Sequence, residues 1–190
     1  MKNAEKLKNK MRLGRVYRRR ELAKFSTAVD RDLNTLVQKG EVKKLAGGLY
    51  CRPRENAFGV APPTDKELVR GFLKTGDFLL TSYNYFTELG LGLTQLYNTP
   101  VVYNHKRSGK FTLGGRGFEF RLAPSYPRKL TKEFLLVDAL NNLKRLPDDT
   151  AVVLENLKSR LSHFDQRKVR KCLDRYGRPS AHTLFEQTHA

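Results

Sequence analysis

Arg31, Asn34 and Gln38 are the residues of this sequence whose types and spacing suit a defined chemistry. An arginine fork and two carboxamides can each make paired hydrogen bonds to the edge of a nucleic-acid base. With Thr27 and Thr35 they fall on the polar side of a helix expected from Thr27 to Lys39. For one amphipathic helix taken alone, a solvated face is the better reading. Its neighbours change that balance. A short basic helix expected from about Arg18 to Phe25 brings Arg18, Arg19, Arg20 and Lys24, and a following hairpin brings Lys43 and Lys44. Cations on both flanks of a polar helix match the phosphates on either side of a DNA groove. We therefore expect Arg31, Asn34 and Gln38 at base edges and Thr27 near a base or the backbone. Thr35 shares that face, and Arg18, Arg19, Arg20, Lys43 and Lys44 are expected on phosphates.

Other chemistries find no matching pattern. The glycine-rich pieces at 89–95 and 113–118 lack the Gly-Lys-Ser/Thr of a phosphate loop and read as turn and packing glycines. The four histidines (105, 163, 182 and 189) form no metal-ligand pair, so no metal is expected. Glu41-Val42-Lys43, the one Glu-x-Lys on an expected strand, belongs to the hairpin. No nucleophile elbow or Cys–His pairing is visible. The reading is a non-enzyme without a cofactor. Cys51 and Cys172 lie far apart in sequence and read as reduced thiols, with a disulfide left open.

The elements that must position these residues follow from periodicity. Val29, Leu33, Leu36 and Val37 form an apolar stripe, Thr27 and Asp30 fit a capping box, and Gly40 can end the helix. Two short strands then surround a Gly47-Gly48 turn. Helix, turn, helix and basic hairpin make a winged helix-turn-helix, a shape suited to the major groove. Before it, Ala4, Leu7 and Met11 predict a helix over residues 3–12. After it, residues 53–64 carry three prolines without periodicity and read as a linker.

The fold class expected is α+β. Residues 1–56 form the DNA-binding domain. Residues 57–190 form a mixed α/β domain with a small antiparallel sheet and a helical C-terminal part. Its helices are expected at 65–74 and 83–89, its strands at 78–81, 100–104, 110–113 and 118–122. Further helices are expected over 131–145, from 150 to 161 after Asp148 or Asp149, and after Asp165. On the last of these, Arg167, Lys171 and Arg175 share one outer side. That stripe is a second phosphate-contacting surface, a dock for an acidic partner, or a solvated face.

Composition bounds the partners. The net charge is +18 over 190 residues, which predicts an anionic partner. Residues 1–56 hold 16 Lys/Arg against 6 Asp/Glu, about three times the net positive charge per residue of the remainder. No apolar run is long enough to span a bilayer and the first dozen residues lack a signal-peptide core, so a cytoplasmic protein without membrane contact is expected.

The succession Leu33, Leu36, Val37, Lys39-Gly40 and Leu45, Gly48-Leu49-Tyr50 resembles the winged-helix head of AbiEi-type antitoxins of type IV toxin–antitoxin systems. The later succession is also similar: Asn84, Leu89-Gly90-Leu91, Thr94-Gln95 and a strand bearing Tyr103. The resemblance covers roughly residues 14 to 146. It implies a repressor that binds double-stranded operator DNA, with inverted repeats, upstream of its own operon. It also implies a C-terminal domain counteracting a separately encoded nucleotidyltransferase-type toxin. Gly47 stands where such sequences often place a basic residue, which leaves wing contacts to Lys43 and Lys44, and the last 45 residues match only loosely. The alternatives are a stand-alone winged-helix regulator whose C-terminal domain binds a ligand or partner, and an RNA-binding accessory protein.

Overall fold

A computed structural model describes residues 2–57, 59–93 and 96–188 as a mixed α+β structure with small, mostly antiparallel sheets and a helical C-terminal part. Thr94-Gln95 lies outside the described residues. The chain divides into two compact units, Met1–Asp77 with Lys110–Phe118, and Phe78–Gly109 with Glu119–Ala190. This division differs from a boundary after residue 56: a later helix and a later hairpin group with the N-terminal residues.

In the first unit, α1 (Lys2–Lys10) buries Ala4 and Leu7, with Met11 just beyond it, in a core shared with Leu22, Leu33 and Leu36. β1 (Val16–Arg18) leads into α2 (Arg19–Leu22), a single turn where a helix through Phe25 is expected. The chain leaves it early because Ser26 offers a local alternative. Its hydroxyl accepts from the Ala28 N–H at 3.1 Å and donates to Asp32 Oδ2 at 2.6 Å. α3 (Val29–Gln38) starts after Ala28, which gives no side-chain cap. The Thr27–Asp30 capping box is not formed. Asp30 instead takes a two-point bond from Arg19, a stronger donor than a backbone N–H. Val29, Leu33 and Leu36 are buried and Val37 half-buried, as the stripe predicts. Gly40, at φ 72°, closes the helix in the left-handed conformation that glycine adopts without strain.

β2 (Lys43–Ala46) and β3 (Leu49–Cys51) follow, and the sheet order is β1-β3-β2, antiparallel throughout. The stretch 53–64, expected as a linker, holds a hairpin of β4 (Arg54–Asn56) and β5 (Gly59–Ala61). Pro53, Pro62 and Pro63 flank the paired residues, so no ladder donor is lost. α4 (Asp65–Leu73) begins with a capping box between Thr64 and Glu67 and ends on Lys74 at φ 59°. β8 (Gly109–Leu113) and the start of β9 (Arg116–Leu122) contribute a hairpin to the same unit. The Gly114 N–H donates to the Leu45 carbonyl at 2.7 Å, and Arg116 pairs with Asp65 at 2.5 Å.

In the second unit, β6 (Leu79–Thr81) pairs antiparallel with β7 (Val101–Asn104), which runs parallel to the end of β9 with Val102 opposite Phe120. A 3₁₀ helix (Tyr83–Leu89) ends on Gly90. α5 (Lys132–Asn142) is buried continuously from Phe134 to Leu140. α6 (Thr150–Arg160) is capped by Asp149 and α7 (Gln166–Tyr176) by Asp165. α8 (Pro179–Gln187), not expected, opens with proline in its first turn and buries Ala181 and Phe185.

Candidate nucleic-acid interface

The polar side of α3 is the candidate interface. Thr27, Arg31, Asn34 and Gln38 are all exposed, whereas the opposite side is held by Val29, Leu33 and Leu36 in the core. Burial of that stripe fixes the helix's rotation, and so the direction in which the forked side chains leave it. Thr35 is less available. It is half-buried, and its hydroxyl donates to the Arg31 carbonyl at 2.9 Å, one turn back. On the hairpin side, Lys43 and Lys44 are both exposed, next to a register shift between Lys44 and Ala46.

The three arginines before α3 have three different environments. Arg20 is exposed. Arg19 is held by Asp30, with Nε to Oδ1 at 2.8 Å and Nη2 to Oδ2 at 2.5 Å. That bond keeps the Asp30 carboxyl below its ordinary value and raises the arginine's. Arg18 does not sit as a phosphate contact should. Its half-buried guanidinium donates through Nε to the Gly71 carbonyl at 2.9 Å and through Nη2 to that of Phe72. These belong to the last turn of α4, where carbonyls have no partner within the helix.

The structure also brings together cations that sequence spacing leaves apart. Arg15, Arg20, Arg70 and Lys74 line an open depression of about 680 Å³ in the first unit, with Glu21 and Glu67 on its wall. Only the packing of α4 against β1 joins them, and no local pattern carries that information.

Arg167, Lys171 and Arg175 are exposed along α7 in the second unit. The Arg175 guanidinium lies 5.5 Å from the centre of the Tyr176 ring. Asp165 spends one oxygen on the Arg167 and Lys168 backbone N–H groups, and its carboxyl is held low by those bonds and by the Lys168 side chain.

Among the described residues, no three His, Cys, Asp or Glu side chains are grouped to hold a metal, and no helix is long and apolar enough to cross a membrane. Cys51 and Cys172 are free thiols. Burial pushes Cys51 up to about 11 and raises Cys172 as well, which opposes the reactive thiolate form.

The second unit has a polar core of its own. Tyr103 donates to Asp138 Oδ1 at 2.6 Å, and Asn142 Nδ2 donates to the same oxygen at 2.9 Å. Arg121 Nη1 donates to Asn142 Oδ1 at 2.6 Å, and Arg121 is tied to Glu119 at 2.8 Å. A cavity of about 130 Å³ lies against this group.

No protein-family model and no curated protein sequence matches the chain. A solved structure does: the chain superposes on the RV2827C protein from Mycobacterium tuberculosis with a TM-score of 0.51 over 97% of this chain and 75% of that one, at 16% identity. Similarity at that level speaks to the fold alone.

Proposed function

We propose that the chain is a sequence-specific DNA-binding regulator whose α2, turn, α3 and β2–β3 hairpin act as a winged helix-turn-helix. One observation carries the reading: Arg31, Asn34 and Gln38 stand exposed on one side of a helix whose other side is buried, and Arg20, Lys43 and Lys44 are exposed on the elements that precede and follow it in the chain. Arg31, Asn34 and Gln38 read base edges, and the cations hold phosphates. Arg19 and Arg18 contribute less than their charge suggests, because Asp30 and the end of α4 occupy them. The net charge of +18 supports an anionic partner of this kind. The decisive experiment titrates the duplex upstream of the gene against a scrambled duplex. Arg31→Ala or Asn34→Ala should cost about 1–3 kcal/mol of discrimination at one base position. Equal affinity of the unmutated chain for both duplexes would remove the reading.

We further propose that the regulator represses its own operon as the antitoxin of a type IV system and counteracts a nucleotidyltransferase-type toxin. The support is the resemblance of residues 14 to 146 to AbiEi-type antitoxins. Co-expression with the neighbouring gene product tests it, since an antitoxin restores growth. The cavity beside Asp138 favours a second reading, a stand-alone regulator whose C-terminal unit binds a ligand.

A further inference from the structure

The cavity in the second unit has a carboxylate in its floor. Asp138 is 2% exposed and lines it from α5. Oδ1 is satisfied by Tyr103 and Asn142, whereas Oδ2 is buried and accepts no hydrogen bond among the described residues. A buried carboxylate oxygen without a donor is costly, so its presence here points to a donor that arrives from elsewhere. The Arg121 guanidinium is directed to Asn142 and Glu119 instead.

The remaining lining narrows the choice. Tyr103, Phe134, Tyr126 and Tyr176 give the cavity aromatic walls, and the exposed Arg175 and Arg178 lie at its edge. The turn carrying Arg178 is tied to α5: Asn141 donates to the Tyr176 carbonyl at 2.9 Å and accepts from the Arg178 N–H at 2.7 Å. An organic cation would suit Asp138 but would meet two arginines. A simple anion would suit the arginines but would meet Asp138. An apolar ligand would leave Oδ2 unpaired. A flat nitrogen heterocycle with an N–H donor, carrying a phosphate outside, satisfies all three groups.

We propose that this cavity binds a nucleobase carried on a phosphate, with a base N–H donating to Asp138 Oδ2, the ring against the aromatic walls, and the phosphate at Arg175 and Arg178. At about 130 Å³ the space is below the roughly 300–1,000 Å³ of drug-sized sites, so the base enters and the sugar phosphate stays at the mouth. Burial raises the Asp138 carboxyl to about 6, which leaves it ionised, and an acceptor, at pH 7.5. The same chemistry is offered by a free mononucleotide and by the end of a single strand. The site is independent of DNA reading by α3.

The test is calorimetric titration of the full chain with AMP, GMP, CMP and UMP, with their nucleosides, with inorganic phosphate, and with a short single-stranded oligonucleotide. At least one mononucleotide or the oligonucleotide binds, and inorganic phosphate binds about tenfold more weakly or not at all. The arm that binds tighter, mononucleotide or oligonucleotide, identifies the source. Asp138→Asn discriminates sharply. Because two donors address Oδ1, the amide oxygen takes that place and the NH₂ stands where Oδ2 was, donor against donor. Base binding falls by about tenfold or more, a loss of the size of one hydrogen bond to a charged group. Arg178→Ala, a change at an exposed position, weakens the nucleotide and leaves its nucleoside unchanged. The proposal is overturned if neither mononucleotides nor the oligonucleotide bind, if a folded Asp138→Asn chain binds as tightly, or if Arg178→Ala weakens nucleoside and nucleotide alike.

Discussion

Arg19 and Asp30 form a two-point ion pair across the turn before α3, with both bonds at 2.8 Å or less. Both side chains are exposed, so the pair adds little to stability. Its effect falls on what Arg19 can do for a phosphate: while Asp30 holds the guanidinium, the negative charge beside it opposes a phosphate.

Asp30→Ala should release that arginine. On the reading of α3 as the DNA-contacting helix, the variant binds every duplex more tightly, and the slope of log affinity against log salt steepens by about one. Fluorescence anisotropy across a salt series measures both. An unchanged slope would mean that Arg19 faces no phosphate.

Arg18→Met should act on folding and not on binding. It removes the donor from two carbonyls at the end of α4 while keeping most of the side chain's apolar length. The expected loss is about 1–3 kcal/mol. Urea unfolding reads it, and DNA affinity per folded molecule stays as it was.

Asp138 predicts a pH dependence. Its folded-state carboxyl is raised to about 6, burial outweighing the hydrogen bond from Tyr103 and the charges of Arg121 and Arg178. The folded chain therefore holds this proton more tightly than the unfolded chain. The stabilisation is present below the unfolded value, near 4, is lost as pH rises through 6, and stays lost above. Asp138→Asn has no such titration. Between pH 4 and 7.5, stability should shift in the variant's favour by on the order of 2–3 kcal/mol, from about 1.4 kcal/mol per pH unit of difference. Urea midpoints at the two pH values, wild type against variant, check it.

Gly177→Ala tests the turn beside the cavity. The backbone there has an ordinary negative φ, so alanine would normally add a few tenths to about 1 kcal/mol of stability. Space decides otherwise. A Cβ would come within 2.4 Å of the Leu173 carbonyl oxygen, a backbone atom that cannot swing aside. A fall in thermal midpoint is expected, and a rise would show that the turn can shift.

The sequence displays its locally encoded features and hides its long-range ones. The stripe of Val29, Leu33 and Leu36 shows α3, and Asp149 and Asp165 show the starts of α6 and α7, because spacing along a few residues suffices. The exposure of Arg31, Asn34 and Gln38 follows from the same periodicity. The fate of Arg18 is set by carbonyls more than 50 residues later, so its charge alone misleads. Thr27 fits a cap by sequence, but α3 starts after Ala28, where the Ser26 hydroxyl accepts from the Ala28 N–H and donates to the buried Asp32. Asp138 sits in a stretch apolar enough to hide it. Its importance emerges once β7 brings Tyr103 against α5.

The first unit is assembled from two stretches separated by more than thirty residues. During synthesis its N-terminal helices leave the ribosome well before the hairpin that supplies Gly114 and Arg116, so Leu45 must wait for its carbonyl's donor until residues 78–109 have also emerged. A fragment cut near residue 56 or 77 would carry α3 and the β2–β3 hairpin without their finished support, which makes internal substitutions in the whole chain a sounder probe than truncation.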